Sequence, residues 1–222
     1  LNAYRDKPND WGAATLLDLG DTSAIVDSCV FRNNAADGTF RSGTSSAFLI
    51  YASGGDAIVR NCLIYGNRLK SGDNAAAAAI FSGHFKRIEN CTVANNALDA
   101  LMTNWWFFIV KSILRVYHTD TSTSVVNRIS WNNKISEIGA RTERYPRQTV
   151  VEVPSSSYSI FESSMAGTGN LSKDPVFNNM LAADYSLKQG SPARNSGDPS
   201  STKNADGSRA DMGARLMQLG TR

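Results

Sequence analysis

The stretch Ile58–Asn67, IVRNCLIYGN, decides the architecture, because the chain writes it three times. It occurs earlier as IVDSCVFRNN (Ile25–Asn34) and later as RIENCTVANN (Arg87–Asn96). The three align without a gap on Cys29, Cys62 and Cys91, and each closes on an asparagine: Asn34, Asn67 and Asn96. The period is about 30 residues, the signature of an array in which each unit buries its apolar face only against its neighbours.

Columns of the repeat separate inside from outside. Val26, Val59 and Ile88 stay apolar, as do the three cysteines and then Phe31, Ile64 and Val93. The columns between them wander, Asp27, Arg60, Glu89 in one and Arg32, Tyr65, Ala94 in another. A column that stays apolar while its neighbours vary points inward, and period two makes the flanking segments strands. Ser28, Asn61 and Asn90 stand at the corner, where Asn tolerates the left-handed conformation and can ladder with the Asn above it. Each unit is followed by a polar loop and a run of small residues, Ser45–Ala52 (SSAFLIYA) and then Ala75–Ser82 (AAAAAIFS). Alanine content alone would make the second a helix. Its place in the repeat, with Phe81-Ser82-Gly83 answering Ala52-Ser53-Gly54, makes it a strand. The expected fold is all-β, a solenoid of stacked parallel strands with room for a cap at one end.

Ala13–Leu19 reads as either a strand or a short capping helix. Beyond Asn96 the repeat loses regularity. Val110–Tyr117 and Val125–Asn133 echo the unit, but Arg128 falls where the cysteine was, and an inward Arg needs a partner. A register shift or bulge is expected there. Arg141–Gln148 reads as an exposed loop, with Arg141, Arg144 and Arg147 solvated. The domain expectation is one unit over 1–222: an amino-terminal coil or cap over 1–24, repeat coils over 25–157, and closing coils over 158–222.

Composition narrows the function classes. Hydrophobic residues are 41%, charged residues 19%, and the formal net charge is +3. So mild and scattered a basic excess does not call for nucleic acid. No apolar run approaches the ~20 residues of a membrane helix. The chain starts at Leu1 with no signal peptide in view, and reads as a mature, processed or excised product. An odd number of cysteines at one repeat position reads as a stack of small buried thiols, with a Cys62–Cys91 disulfide as the alternative. Their wide spacing does not suit zinc.

Asn90–Asn96 (NCTVANN) is followed in order by Tyr158–Glu162 (YSIFE), Gly167–Asn170 (GTGN), Asp174–Phe177 (DPVF), Asp184–Leu187 (DYSL), Gly190–Ala193 (GSPA) and Asp211–Ala214 (DMGA). This succession resembles the carboxyl-terminal half of secreted bacterial right-handed parallel β-helix proteins, the pectin-lyase-like group with a choice-of-anchor Q-type region. The resemblance covers roughly Ile25 to Ala214. It implies a right-handed parallel β-helix and a secreted or cell-surface location. Some relatives of that fold are polysaccharide lyases or hydrolases, and many have no known activity. The chain departs from the pattern in its few amino-terminal coils and in the ending Arg215–Arg222.

Two function classes follow. The first is an exported, non-catalytic β-helix that serves as a surface, filament or glycan-binding module, with a polysaccharide or copies of itself as partner. The second is a lyase or hydrolase acting on an acidic polysaccharide in a groove. A lyase needs a basic side chain to abstract a proton, and usually Ca²⁺ to neutralise the uronic carboxylate. Its only candidates are Asp27, Arg60 and Glu89 on one face, with Lys86 and Arg87 nearby. The plainer meaning of that column is a complementary charge ladder between strands. No tight acidic cluster accompanies it, so no cofactor is expected outside the lyase alternative. His84 and His118 read as solvated loop residues. Tyr65, Trp105 and Trp106 are the candidate sugar-stacking aromatics.

Overall fold

In the computed structural model the described residues are 12–21, 23–38, 45–71, 77–101, 110–115, 123–138 and 156–214. Strand β1 (Gly12–Asp18) precedes the first repeat, which splits into β2 (Ile25–Asp27), β3 (Val30–Arg32) and β4 (Ala35–Gly38). A long strand β5 (Ser45–Arg60) leads into β6 (Leu63–Tyr65) and β7 (Arg68–Ser71). The pattern recurs as β8 (Ala77–Glu89), β9 (Thr92–Ala94) and β10 (Ala97–Leu101). After β11 (Val110–Arg115) come β12 (Ser124–Val126), β13 (Ile129–Trp131) and β14 (Lys134–Ile138). The last units are β15 (Ser156–Ser157), β16 (Ile160–Phe161), β17 (Phe177–Asn179) and β18 (Asp184–Leu187).

The fold is all-β with parallel sheets; among the described residues the one helical element is a single 3₁₀ turn, Met180–Ala182. The first sheet runs β1-β5-β8-β12-β15, with β2 also on β5 and β11 also on β8. The second runs β16-β13-β9-β6-β3 and the third β14-β10-β7-β4. Every pairing in these three is parallel; among the described residues only β17 and β18 pair antiparallel. Each strand thus pairs with its own counterpart one repeat away.

Two sharp corners join the three strands of a unit. Ser28, Asn61, Asn90 and Asn127 hold the first in the left-handed region, with φ of 55°, 54°, 49° and 54°. Asn33, Gly66, Asn95 and Asn132 hold the second, at 53°, 64°, 55° and 52°. Asn tolerates this region better than most residues, because its short amide can bond the chain locally. The first corner sits where the repeat columns place it. The second lies inside the repeated unit, one residue before its closing asparagine, and the strand that follows it lies in what the columns read as loop.

The inner core is formed by the expected columns. Val26, Val59, Ile88, Cys62, Cys91, Ile64 and Val93 are buried, together with Leu69 and Leu98 from the third sheet. Ala78, Ile80 and Phe81 join them from β8, so the alanine run is a strand as its repeat position requires. Its register is two residues from the expected one: Ile50, not Ala52, faces Phe81. A slip of two keeps every side chain on its own side of the sheet. The extra residues of β5 are taken up in a bulge between Ala52 and Ala57. Gly83 makes the opposing turn possible at φ 113°, where an added Cβ would lie 1.9 Å from the Ala52 carbonyl oxygen.

Three further expectations are corrected or decided. Gly12–Asp18 is a strand in register with β5, not a helix. No register shift occurs at Val125–Asn133: β12 continues β8 and β13 continues β9 residue by residue. Arg128 therefore occupies the cysteine column itself, 1% exposed, with its guanidinium carbon 5.1 Å from the centre of the Phe161 ring. Burying the aliphatic stem and stacking the planar head on an aromatic is what lets an Arg stand where the apolar column continues.

The carboxyl-terminal segment builds a second core outside the repeats. Leu63, Tyr65, Ala94, Ile129 and Ile160 on the second sheet are covered by Phe177, Tyr185, Ala193 and Met212. Gly213 closes this contact, donating its N–H to the Asn127 carbonyl at 2.7 Å; a side chain there would meet Ile129 and Thr92 at 2.7 Å. Residues 167–171 cover the edge beyond β15 and β16. Tyr158 donates to the Thr168 carbonyl at 2.8 Å, and Leu171 donates to the Ser159 carbonyl at 2.8 Å.

Candidate functional site

The outward column of the first sheet is the one constellation the sequence offers for chemistry. In-register pairing sets Asp27 beside Arg60 and Arg60 beside Glu89. Arg60 Nε lies 2.8 Å from Asp27 Oδ2, and Asn61 Nδ2 donates to Asp27 Oδ1 at 2.9 Å. Ser28 donates its hydroxyl to the same Oδ1 at 2.9 Å. The Asn61 bond holds the Asp27 carboxyl below its usual range against the opposing effect of burial, with Ser28 and Arg60 adding to it. Arg87 joins the column: its Nε is 2.5 Å from Glu89 Oε2. Lys86 is exposed beside it. The third sheet repeats the theme, with Arg68 3.0 Å from Asp99 and Lys70 3.7 Å from Asp37.

These contacts have the geometry of a cross-strand charge ladder. Asp27, Arg60, Arg87 and Glu89 are brought together, but as pairs that neutralise one another along adjoining strands. Among the described residues no three or more His, Cys, Asp or Glu side chains converge as a metal site.

Comparison with protein-family models, curated proteins and solved structures found no match.

The binding candidates fare differently. Tyr65 is expected on the exposed face, yet it is only 8% exposed. Its ring lies 4.9 Å from Tyr185, and Phe177 packs edge-on to the other side of Tyr185 at 5.3 Å. Tyr65 is a core residue under the segment that covers it, not a residue of the exposed face. Trp105 and Trp106 lie outside the described residues, as do His118 and the Arg141, Arg144, Arg147 loop. His84 is part of β8, half-buried, and not in a loop.

Two buried polar systems went unread in the sequence. The closing asparagines form a ladder. Asn34 donates its backbone N–H and its Nδ2 to Asn67 Oδ1 at 3.0 and 2.8 Å; Asn67 donates likewise to Asn96 at 3.0 and 2.9 Å, and Asn96 to Asn133 at 3.1 and 2.9 Å. The remaining Nδ2 hydrogens reach carbonyls of the next strand, as from Asn67 to Phe31 at 3.0 Å. The signal was present, since one residue type closes every unit; the ladder expected at the corner is there in part, where Asn127 Nδ2 donates to Asn90 Oδ1 at 3.0 Å. The second system is Tyr185, whose hydroxyl accepts from Asn95 Nδ2 at 2.9 Å. Burial raises the Tyr185 phenol above its usual value, and the Asn95 bond partly offsets this.

The three cysteines are free thiols. Each donates to the carbonyl two residues back: Cys29 to Asp27 at 3.2 Å, Cys62 to Arg60 at 3.1 Å and Cys91 to Glu89 at 3.2 Å. Burial pushes the Cys91 thiol up.

Proposed function

We propose that the chain winds as a right-handed parallel β-helix and serves as a non-catalytic, exported surface or extracellular module that meets polysaccharide, or further copies of itself, through flat polar faces. Pairing of each strand with its counterpart one repeat away supports the helical path, and parallel crossovers are overwhelmingly right-handed. The likeness to choice-of-anchor Q-type, pectin-lyase-like proteins supports the exported location. One observation carries the non-catalytic reading: the outward charges are spent on each other, Arg60 on Asp27 and Arg87 on Glu89.

The decisive experiment is incubation with a panel of uronic-acid polymers while the absorbance of the unsaturated product is followed. No product is expected. Product that disappears in Arg60→Ala or Lys86→Ala would overturn the proposal in favour of a lyase. In its self-assembling form the proposal also expects association through the edge where β2, β3 and β4, among the described residues, each have a partner on one side only. Residues 167–171 cover the opposite edge of the first two sheets, so small assemblies are expected by light scattering in place of long filaments.

A further inference from the structure

We propose that the cysteine column is a binding site for a two-coordinate soft cation, Cu(I) being the physiological case, held between Cys62 and Cys91. The three thiols stand at one repeat position on in-register strands. The pairs Asp27–Arg60–Glu89 and Val30–Leu63–Thr92 bracket them on either side. All three point the same way, because each bonds the carbonyl two residues back at nearly the same distance. Neighbouring sulfurs are therefore displaced by about one strand spacing, ~4.8 Å.

That spacing selects the ligand. It is far wider than the ~2.0 Å of a disulfide, and parallel Cβ vectors do not close such a gap without moving backbone. An ion midway between two sulfurs would sit at ~2.4 Å, close to the metal–thiolate bond length of ~2.3 Å. The three thiols run in a line and do not converge, so a tetrahedral ion such as Zn²⁺ finds two ligands where it wants four. Soft thiolates favour Cu(I), which accepts two.

Charge points to the inner pair. On binding, each S–H proton leaves to solvent as a metal–sulfur bond forms, so Cu(I) with two thiolates carries one net negative charge. The next residue in the column is Arg128, buried beside Cys91, and its fixed positive charge compensates that anion where water cannot. Cys62 and Cys91 are fully buried, whereas Cys29 at the column's end is partly exposed. Cys29 thus serves as the entry thiol, passing the ion inward by ligand exchange.

The test is an anaerobic equilibrium titration of the whole chain with Cu(I) against a chromophoric Cu(I) chelator. The wild type and Cys29→Ser are expected to withdraw one equivalent, with Cys29→Ser loading more slowly. Cys62→Ser and Cys91→Ser are expected to bind at least a hundredfold more weakly. Retention of wild-type affinity by Cys62→Ser, or failure of the wild type to compete with the chelator, overturns the site. X-ray absorption on the loaded wild type needs no variant to fold. Two sulfur neighbours support the site, and three or more ligands, or any nitrogen, overturn it.

Discussion

The inside and the outside of the repeat region obey different rules. Inside, one position of the unit keeps one job, Arg128 in the cysteine column apart: Val59 stands beside Ile88, Ile64 beside Val93 and Asn67 beside Asn96. Outside, the same position changes role with what lies over it. Arg32 is exposed, Tyr65 is covered by Tyr185, and Ala94 is fully buried in the same outer core. Inside, the partner of a residue is its own counterpart a repeat away. Where the outside is covered, the partner comes from far along the chain, and the Asn95–Tyr185 bond spans 90 residues. Regularity therefore describes the inner core, whereas the outer core depends on one irregular segment folding back.

The largest effects are expected where the regular rule holds. Phe81 is fully buried and meets Phe85 edge-on at 5.9 Å. Phe81→Ala should cost about 3–5 kcal/mol through lost burial and the cavity left behind. Urea denaturation should show this as a lower midpoint with all probes moving together. A separate early transition confined to Phe177–Met212 would mean that the outer core unfolds on its own terms.

The asparagine ladder comes next. Asn67→Ala leaves the Asn34 backbone N–H and the Asn34 amide without their acceptor in a part-buried setting. A loss of about 2–3 kcal/mol is expected, because orphaned buried donors cost more than an average hydrogen bond contributes. Asn67→Asp should recover none of it, since its second carboxylate oxygen meets Asn96 Oδ1 and the Phe31 carbonyl, both acceptors, where the amide donated. If Asp matches the wild type, donation by this side chain is not what stabilises the ladder.

The legible part of the fold was the part governed by period. Val59, Cys62 and Ile64 stand in columns that stay apolar, and burial follows. Arg128 broke such a column, and chemistry alone argued for a shifted register; the Phe161 ring that receives it continues the inward column of Phe31, Ile64 and Val93, but 33 residues further on, where the repeat is no longer legible in the sequence. The second corner was missed because Asn33, Gly66 and Asn95 precede a residue run that varies from AADG to RLKS to ALDAL. At the candidate site, pairing along Asp27, Arg60 and Glu89 was readable, since opposite charges in register attract. The burial of Tyr65 was not, because nothing within its unit announces Tyr185.

A smaller change probes the covered outer face alone. Tyr185→Phe keeps the ring against Tyr65 and Phe177 and removes the hydroxyl that Asn95 needs. The expected loss is about 1 kcal/mol. Hydrogen exchange should quicken at the Gly213 amide, which docks the segment on Asn127, and stay unchanged at the Ile129 amide, which bonds Cys91 beneath it. Equal quickening at both would show that the two cores open as one.

The smallest effect belongs to the bare outer face. Arg60 and Asp27 side chains are 41% and 34% exposed, so Arg60→Ala should cost no more than about 1 kcal/mol, less in high salt. The pH dependence carries more information than the size. Asp27 is held below its unfolded value, chiefly by Asn61 and then by Ser28 and Arg60. Its contribution is therefore complete above the ordinary carboxylate value of about 4 and is lost as pH falls through the lowered folded value. The wild type should lose slightly more stability than Asn61→Ala between pH 5 and the acid limit, about pH 2. Because Asn61 is the larger influence, Asn61→Ala should flatten that slope more than Arg60→Ala does. The reverse ranking would make the ion pair, and not the corner asparagine, the principal holder of Asp27, and would return Arg60 to the front of any search for chemistry on this face.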